Sequence, residues 1–254
     1  MISANLATVL RRQGDAPDLL WTSIESVRRT PFASWLAPRE RALHDGFTIP
    51  KRRNEWLAGR LAAKEIVRRH QATPVLRVAD LRDIEIRARR WGLHRGRPHY
   101  YVRGRPGARC LSIAHSGDIA LAGLSRGSQS DIGVDIEAVL PLDERVEALA
   151  LSPHEILSLR GLRGERRART VAIIWVLKEA LVKAVGVGLR VPLAAIRVDL
   201  DPLRETLAPR PFSVSRGSGL LTLLRRFAPG ATGKHFELAD RIGGWVELDR
   251  RSIK

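Results

Sequence analysis

Three carboxylates and two ammonium groups stand in two short stretches whose spacing would gather them. The first is "GVDIE", residues 133–137. A strand turns alternate side chains to opposite faces, so Asp135 and Glu137 point one way while Val134 and Ile136 face the core. Their Cα atoms would lie roughly 6.5 Å apart, near enough to ligate one hard cation. Gly133 leaves room for something to approach the backbone. Ordinary strands also carry acids on a wet face, so this motif is weak alone. The second stretch is "WVLKEALVKAVGVGL", Trp175–Leu189. At helical spacing Trp175, Lys178, Glu179 and Lys183 fall within an arc of roughly 140°, while Leu177, Leu181 and Val185 point into a core. A solvated stripe with a Glu179–Lys183 pair is the plain reading. Trp175 argues against it, because tryptophan is unusual on a freely solvated face. With Glu179 as a third carboxylate the set suits Mg²⁺, which keeps several waters and shares its shell with phosphate oxygens. The two lysines would neutralise phosphate charge.

A third element is "SIAHSGD", residues 112–118. His115 follows a strand and is expected in a turn. A lone histidine is more often structural than functional. No spacing makes this one a metal ligand, so phosphate binding is its better active role. Arg52, Arg53, Arg60 and Arg97 of "GRP" are further candidates for that role.

The elements that position these residues are legible in outline. Residues up to about Thr30 are loosely patterned. "LAPRERALHDGF" and "KRRNEWLAGRLAAKEIVRRH" read as helices, the latter with Trp56, Leu57, Leu61, Ile66 and Val67 on one side. "DLRDIEIRARR" alternates as a strand, and "HRGRPHYYVRGRPGAR" as turns between short strands. "CLSIAHS", "DIALAGLS" and "IGVDIEAV" are three more strands, with the polar turn "RGSQSD" before the last. In "LSPHEILSL", Ser152, Pro153 and Glu155 form a helix-start signature. The Trp175 helix ends at the "GVGL" glycines. A strand "LAAIRVDL" and a β-leaning tail ending in "GGWVELDRR" follow.

One internal echo orders the whole. "GRLAAKEIVRR" is matched by "IWVLKEALVKA", setting Lys64-Glu65 against Lys178-Glu179 and Arg69 against Lys183. The same strand pattern follows each: Leu81, Ile84, Ile86 and Leu193, Ile196, Val198. The expected fold is therefore α/β (α+β), two similar halves, residues 1–128 and 129–254, about a pseudo-twofold axis, with a ligand site in the cleft between them.

Composition sets limits. The chain has 254 residues, 44 Lys+Arg against 27 Asp+Glu, and a net charge of +17. Such a field attracts polyanions, whether nucleic acid, phosphate-rich cofactors or acidic proteins. The single cysteine, Cys110, excludes an internal disulfide framework or a Cys-based metal site. It is expected as an inert thiol at the start of a strand. No apolar run is long enough to span a bilayer, and "MISANLATVLRRQGD" lacks the order of a signal peptide. The expectation is a soluble, cytoplasmic protein with no membrane partner.

The order "KRRNEWLAGR … GRP … SIAHSGD … GVDIE … WVLKEALVKAVGVGL" resembles the 4′-phosphopantetheinyl transferases, in particular their long two-half, surfactin-synthetase-activating type. The resemblance covers most of residues 36 to 200. It implies transfer of the phosphopantetheine arm of coenzyme A to a serine of an apo carrier protein, releasing adenosine 3′,5′-bisphosphate. Asp135, Glu137 and Glu179 would hold Mg²⁺, or Mn²⁺, against the pyrophosphate. Glu179 would also deprotonate the serine, and Lys183 with Lys178 would stabilise the leaving group. His115, Arg52, Arg60 and Arg97 would bind the 3′-phosphate and adenosine, placing that end on the first half and the catalytic residues on the second. Carrier proteins of this kind are generally acidic, which gives the basic chain a partner. A chain containing both halves is expected to be a monomer. Ala114 stands where many members have serine before the histidine. The first-half echo has Leu61 and Arg69 where the full motif has tryptophan and lysine, so Lys64 and Glu65 are taken as structural. Two alternatives remain: another Mg²⁺-dependent phosphoryl-processing enzyme such as a nuclease, and a basic nucleic-acid-binding protein. The chain has no zinc motif or interleaved aromatic–basic strand for the latter.

Overall fold

The computed structural model describes residues 8–10, 17–29, 31–71, 80–92 and 94–252. The segment weighed above as a leader lies, apart from Thr8–Leu10, outside them. The chain divides into two compact units, Met1–Ser128 and Gln129–Lys254.

The first unit is built on an antiparallel sheet in the order β1-β2-β7-β6: β1 (Thr8–Leu10), β2 (Asp18–Ser23), β6 (Leu111–Ser116) and β7 (Ile119–Leu124). The sequence of β7, Ile-Ala-Leu-Ala-Gly-Leu, is apolar at every position and buried at every position, as a strand covered on both faces must be. After β2 come the short helix α1 (Ile24–Arg28), α2 (Pro38–Asp45) and the long α3 (Pro50–Gln71). β2 and α1 lie in the stretch whose sequence pattern was loose; Ser23 Oγ caps α1 by accepting the Ser26 N–H at 3.1 Å. α3 buries Leu57, Ala58, Leu61, Ala62, Ile66 and Val67, the spacing of a core-facing stripe. A second small sheet, β3 (Ile84–Ala88), β4 (Pro98–Val102) and β5 (Arg105–Pro106), completes the unit, with Ile84, Ile86 and Tyr100 buried.

The second unit repeats this plan. Its first strand, β8 (Ser130–Ala138), pairs antiparallel with the last, β12 (Arg241–Asp249), which pairs with β11 (Ala231–Leu238). Between them run α4 (Glu144–Ala150), α5 (Pro153–Ser158), the long α6 (Gly164–Val185), the ladder of β9 (Ile196–Asp201) and β10 (Thr206–Val214), and α7 (Leu220–Phe227). The expected start of α5 is present: Ser152 Oγ accepts the Glu155 N–H at 3.4 Å and Glu155 Oε2 accepts the Ser152 N–H at 2.7 Å. The expected end of α6 is too, with Gly186 at φ 80° accommodating a left-handed turn. From Ala168 to Val185 almost every residue of α6 is buried, so it is a central helix with little surface of its own.

The echo between the units is a buried clamp. In the first unit Lys64, fully buried, sets its ammonium 2.5 Å from Glu40 and donates to Trp35 O and Leu81 O. Glu40 also accepts the Ala37 N–H, at the start of α2, and the Ile86 N–H of β3, both at 3.0 Å. In the second, Lys178, also fully buried, sits 2.5 Å from Glu155 and donates to Ala150 O at 2.7 Å. Glu155 accepts the Ser152 N–H, and its other oxygen accepts the Val198 N–H of β9 at 2.7 Å. Each clamp ties a helix start, a long helix and a strand together through one carboxylate. Burial pulls both ammonium groups below the usual lysine range, and each glutamate opposes that shift.

Candidate active site

The acidic site grows out of a close approach between α6 and β8. A Cβ placed on Gly133 would fall 1.9 Å from Ala180 O and 2.6 Å from Ala184 N. Only glycine lets the helix backbone lie this close to the strand. Alternation then puts Asp135 and Glu137 on the same face as Gly133, turned toward α6. Ile132, Val134 and Ile136 on the opposite face are fully buried. Because the contact is backbone on backbone, no rotamer change relieves it. Gly133→Ala is expected to cost roughly 3 kcal/mol or more, read as the midpoint of a thermal or urea melt. Gly127→Ala, where an added Cβ meets nothing within 4 Å, serves as the control.

From α6, Lys183 Nζ reaches Asp135 Oδ1 at 2.6 Å and donates to Val134 O at 3.3 Å. Glu179 is buried, and its Oε1 has no hydrogen-bond partner. Its carboxyl is pushed up to about 7, first by burial and then by Asp135 and, more weakly, Glu137, with Lys183 opposing. Asp135, Glu137, Glu179 and Lys183 are thus brought into one electrostatic neighbourhood. Among the described residues no three His, Cys, Asp or Glu side chains form a ready-made metal cage; Asp135 is engaged by Lys183. The donor set still fits a hard divalent cation. A buried carboxylate oxygen lacks any donor, and carboxylates that repel one another are what such an ion relieves.

Lys178 is not brought to this group. It is five residues before Lys183, about 140° away around the helix, and that arc was too wide to be one face. Its ammonium is spent in the Glu155 clamp. Trp175 lies half-buried between the two directions.

The phosphate-binding candidates divide differently. A cavity of about 410 Å³ in the first unit is lined by Arg52, Arg60 and His115, together with Phe47, Trp56 and Gly59. His115 is exposed and belongs to β6 itself, not to the turn after it. Arg60 lies over the Trp56 ring, 4.8 Å from its centroid, with Glu40 at 3.9 Å. Burial pulls its guanidinium down and Glu40 opposes this; its Nε has no hydrogen-bond partner. Arg97 does not line the cavity, although its neighbours Gly96 and Pro98 do. Its Nη2 donates to Cys110 Sγ at 2.9 Å, so the half-buried thiol carries a cation beside it. Arg53, half-buried at the start of α3, is also outside the lining set. The role of Trp56 was legible only as an apolar position; its spacing of four from Arg60 was the available signal.

In the first unit the echo of Glu179 is closed. Glu65 is held by Arg68 and Arg69, each within 2.7 Å, and these arginines draw its carboxyl below the usual range despite burial.

Residues 131–212, which carry the carboxylates and Lys183, match the model of the 4′-phosphopantetheinyl transferase superfamily. The matched segment lies within the second unit and covers about a third of the chain. A Synechocystis protein, provisionally named a 4′-phosphopantetheinyl transferase, is 36% identical over 81 residues, 31% of this chain and 32% of that protein. The match thus spans about a third of the relative's length. Among solved structures, a holo-(acyl-carrier-protein) synthase from Bacillus anthracis in complex with coenzyme A (3′,5′-ADP) aligns at 22% identity with a TM-score of 0.36, covering 47% of this chain and 95% of that one. One from Neisseria meningitidis aligns at 20% identity with a TM-score of 0.36, covering 46% and 96%. Among the described residues, no helix is long and apolar enough to cross a membrane.

Proposed function

We propose that the chain transfers 4′-phosphopantetheine from coenzyme A to a serine hydroxyl of an apo carrier protein. The observation that carries this reading is the buried, donor-less Glu179 Oε1 beside Asp135, Glu137 and Lys183, within the segment matched to the superfamily. Asp135, Glu137 and Glu179 would hold Mg²⁺ or Mn²⁺, which, when bound, polarises the pyrophosphate and offsets its charge. A carboxyl raised to about 7 is matched to proton transfer at neutral pH. Glu179 takes the proton as the serine oxygen bonds to the phosphorus bearing pantetheine, and the P–O bond to adenosine 3′,5′-bisphosphate breaks. Lys183, exposed on one side, supports charge on that leaving group. Arg52, Arg60 and His115 hold the 3′-phosphate and adenosine in the first-unit cavity, where Trp56 offers a ring face.

The test is intact-mass spectrometry of an apo carrier protein incubated with this protein, coenzyme A and Mg²⁺. A gain of one phosphopantetheine, absent with EDTA, is the expected result. No gain across fatty-acid, polyketide and peptide carriers would overturn the reading.

A further inference from the structure

The hairpin joining β3 to β4 presents the most exposed large apolar side chain among the described residues. Trp91 is 77% exposed. Around it Arg89, Arg90 and Arg95 are all exposed, and none of the three makes an ion pair among the described residues. Arg90 lies over the indole, 5.6 Å from its centroid. The hairpin is held in shape from within: Arg89 N–H donates to Arg97 O at 2.9 Å, Gly96 N–H to Arg89 O at 2.8 Å and Arg95 N–H to Gly92 O at 3.1 Å. Gly92 and Gly96, at φ 78° and 90°, supply the backbone that no other residue adopts easily. At the hairpin's base, Ala88, Gly96 and Pro98 line the cavity that holds Arg52, Arg60 and His115.

An indole exposed to this degree, with Arg90 over its ring and the exposed Arg89 and Arg95 on the same hairpin, none of them ion-paired among the described residues, has the composition of an interface anchor. Among the described residues its one ring contact is with Arg90. We propose that this hairpin tip is a docking arm for an acidic protein surface, one with carboxylates around a shallow apolar site for Trp91. On the functional reading above, on which this inference rests, that partner is the apo carrier. The arm fixes the partner beside the cavity and steers its approach, an effect that falls with salt.

The test uses the full chain and two variants, Trp91→Ala and the triple charge reversal Arg89→Glu/Arg90→Glu/Arg95→Glu. All four sites are exposed and lie outside the catalytic and coenzyme A residues, so the circular dichroism spectrum should match the parent's in both variants, the KM for coenzyme A should stay within twofold in Trp91→Ala, and in the triple variant it should rise less than the carrier KM does. The expected result is a KM for an acidic apo carrier at least tenfold higher in the triple variant, with its salt dependence flattened, and severalfold higher in Trp91→Ala. Direct binding is followed in parallel with a labelled carrier whose acceptor serine is alanine. Unchanged carrier KM and binding in both variants, with normal transfer by the parent, would sink the docking arm alone. If the parent modifies no acidic carrier, the functional reading and the arm fall together. Loss of binding to a single-stranded oligonucleotide in the triple variant, with carrier KM unchanged, would assign the surface to nucleic acid and overturn the arm.

Discussion

Glu179→Gln should abolish the proposed transfer, by a thousandfold or more, while making the protein more stable above pH 7. The first effect follows from removing both a proposed cation ligand and the proton acceptor. The second follows from burial. In the folded chain the Glu179 carboxyl is pushed up to about 7 from an ordinary 4.5. Between those values the folded state binds a proton that the unfolded state has lost. The stability contributed by that proton is full below pH 4.5 and is lost as pH rises through 7, a total of roughly 3 kcal/mol. Glutamine carries no charge to bury, so the variant escapes the loss. Urea melts at pH 5 and pH 8, with EDTA present, measure the difference. Parent and variant with the same change in stability between these pH values would show that Glu179 is not the buried acid described here.

Lys178→Met should destabilise the second unit by about 3–5 kcal/mol, the cost of leaving a buried ionised partner behind. Glu155 would keep its bonds from Ser152 and Val198 and lose the counter-charge that Lys178 supplies. A double variant, Lys178→Met with Glu155→Gln, removes the charge from both sides and should recover part of that loss, the rest remaining because the glutamine NH2 faces one of the two backbone N–H groups that Glu155 accepts. It also separates two roles for Lys178. If the ammonium serves the clamp alone, the double variant transfers at near-parental rates per folded molecule. If it contacts the pyrophosphate, as the family resemblance implies, activity stays low however much stability returns. Denaturant melts and single-turnover transfer on the same preparations read both quantities.

The sequence made the elements around the chemistry readable because their signals are local. The capping residues Ser152, Pro153 and Glu155, the glycine stop at Gly186 and the alternation in β8 each act within a few residues. The pairing of Asp135 with Glu179 was legible as well, since Gly133 announces a close approach and a tryptophan marks the helix that makes it. The clamps were not. Lys64 and Lys178 find their glutamates more than twenty residues upstream, across a loop, and no periodicity records such a partner. A trace was there: Pro38-Arg39-Glu40 and Pro153-His154-Glu155 repeat the same Pro-x-Glu start. The β2 strand was hidden for a different reason. It follows a polar stretch, and its identity comes from β7 beside it, a non-local partner.

The two long helices carry the same Lys-Glu dipeptide under unequal obligations. In α3 the lysine maintains the architecture, and its neighbour Glu65 is occupied by arginines one turn further on. In α6 the lysine maintains the architecture while its neighbour faces the acids of β8. The second copy therefore carries two constraints where the first carries one. Any rotation of α6 that moved Glu179 relative to Asp135 would also move Lys178 relative to Glu155. In the first copy Glu65 is engaged by Arg68 and Arg69, and the same helix lines the cavity with Arg60 and Trp56.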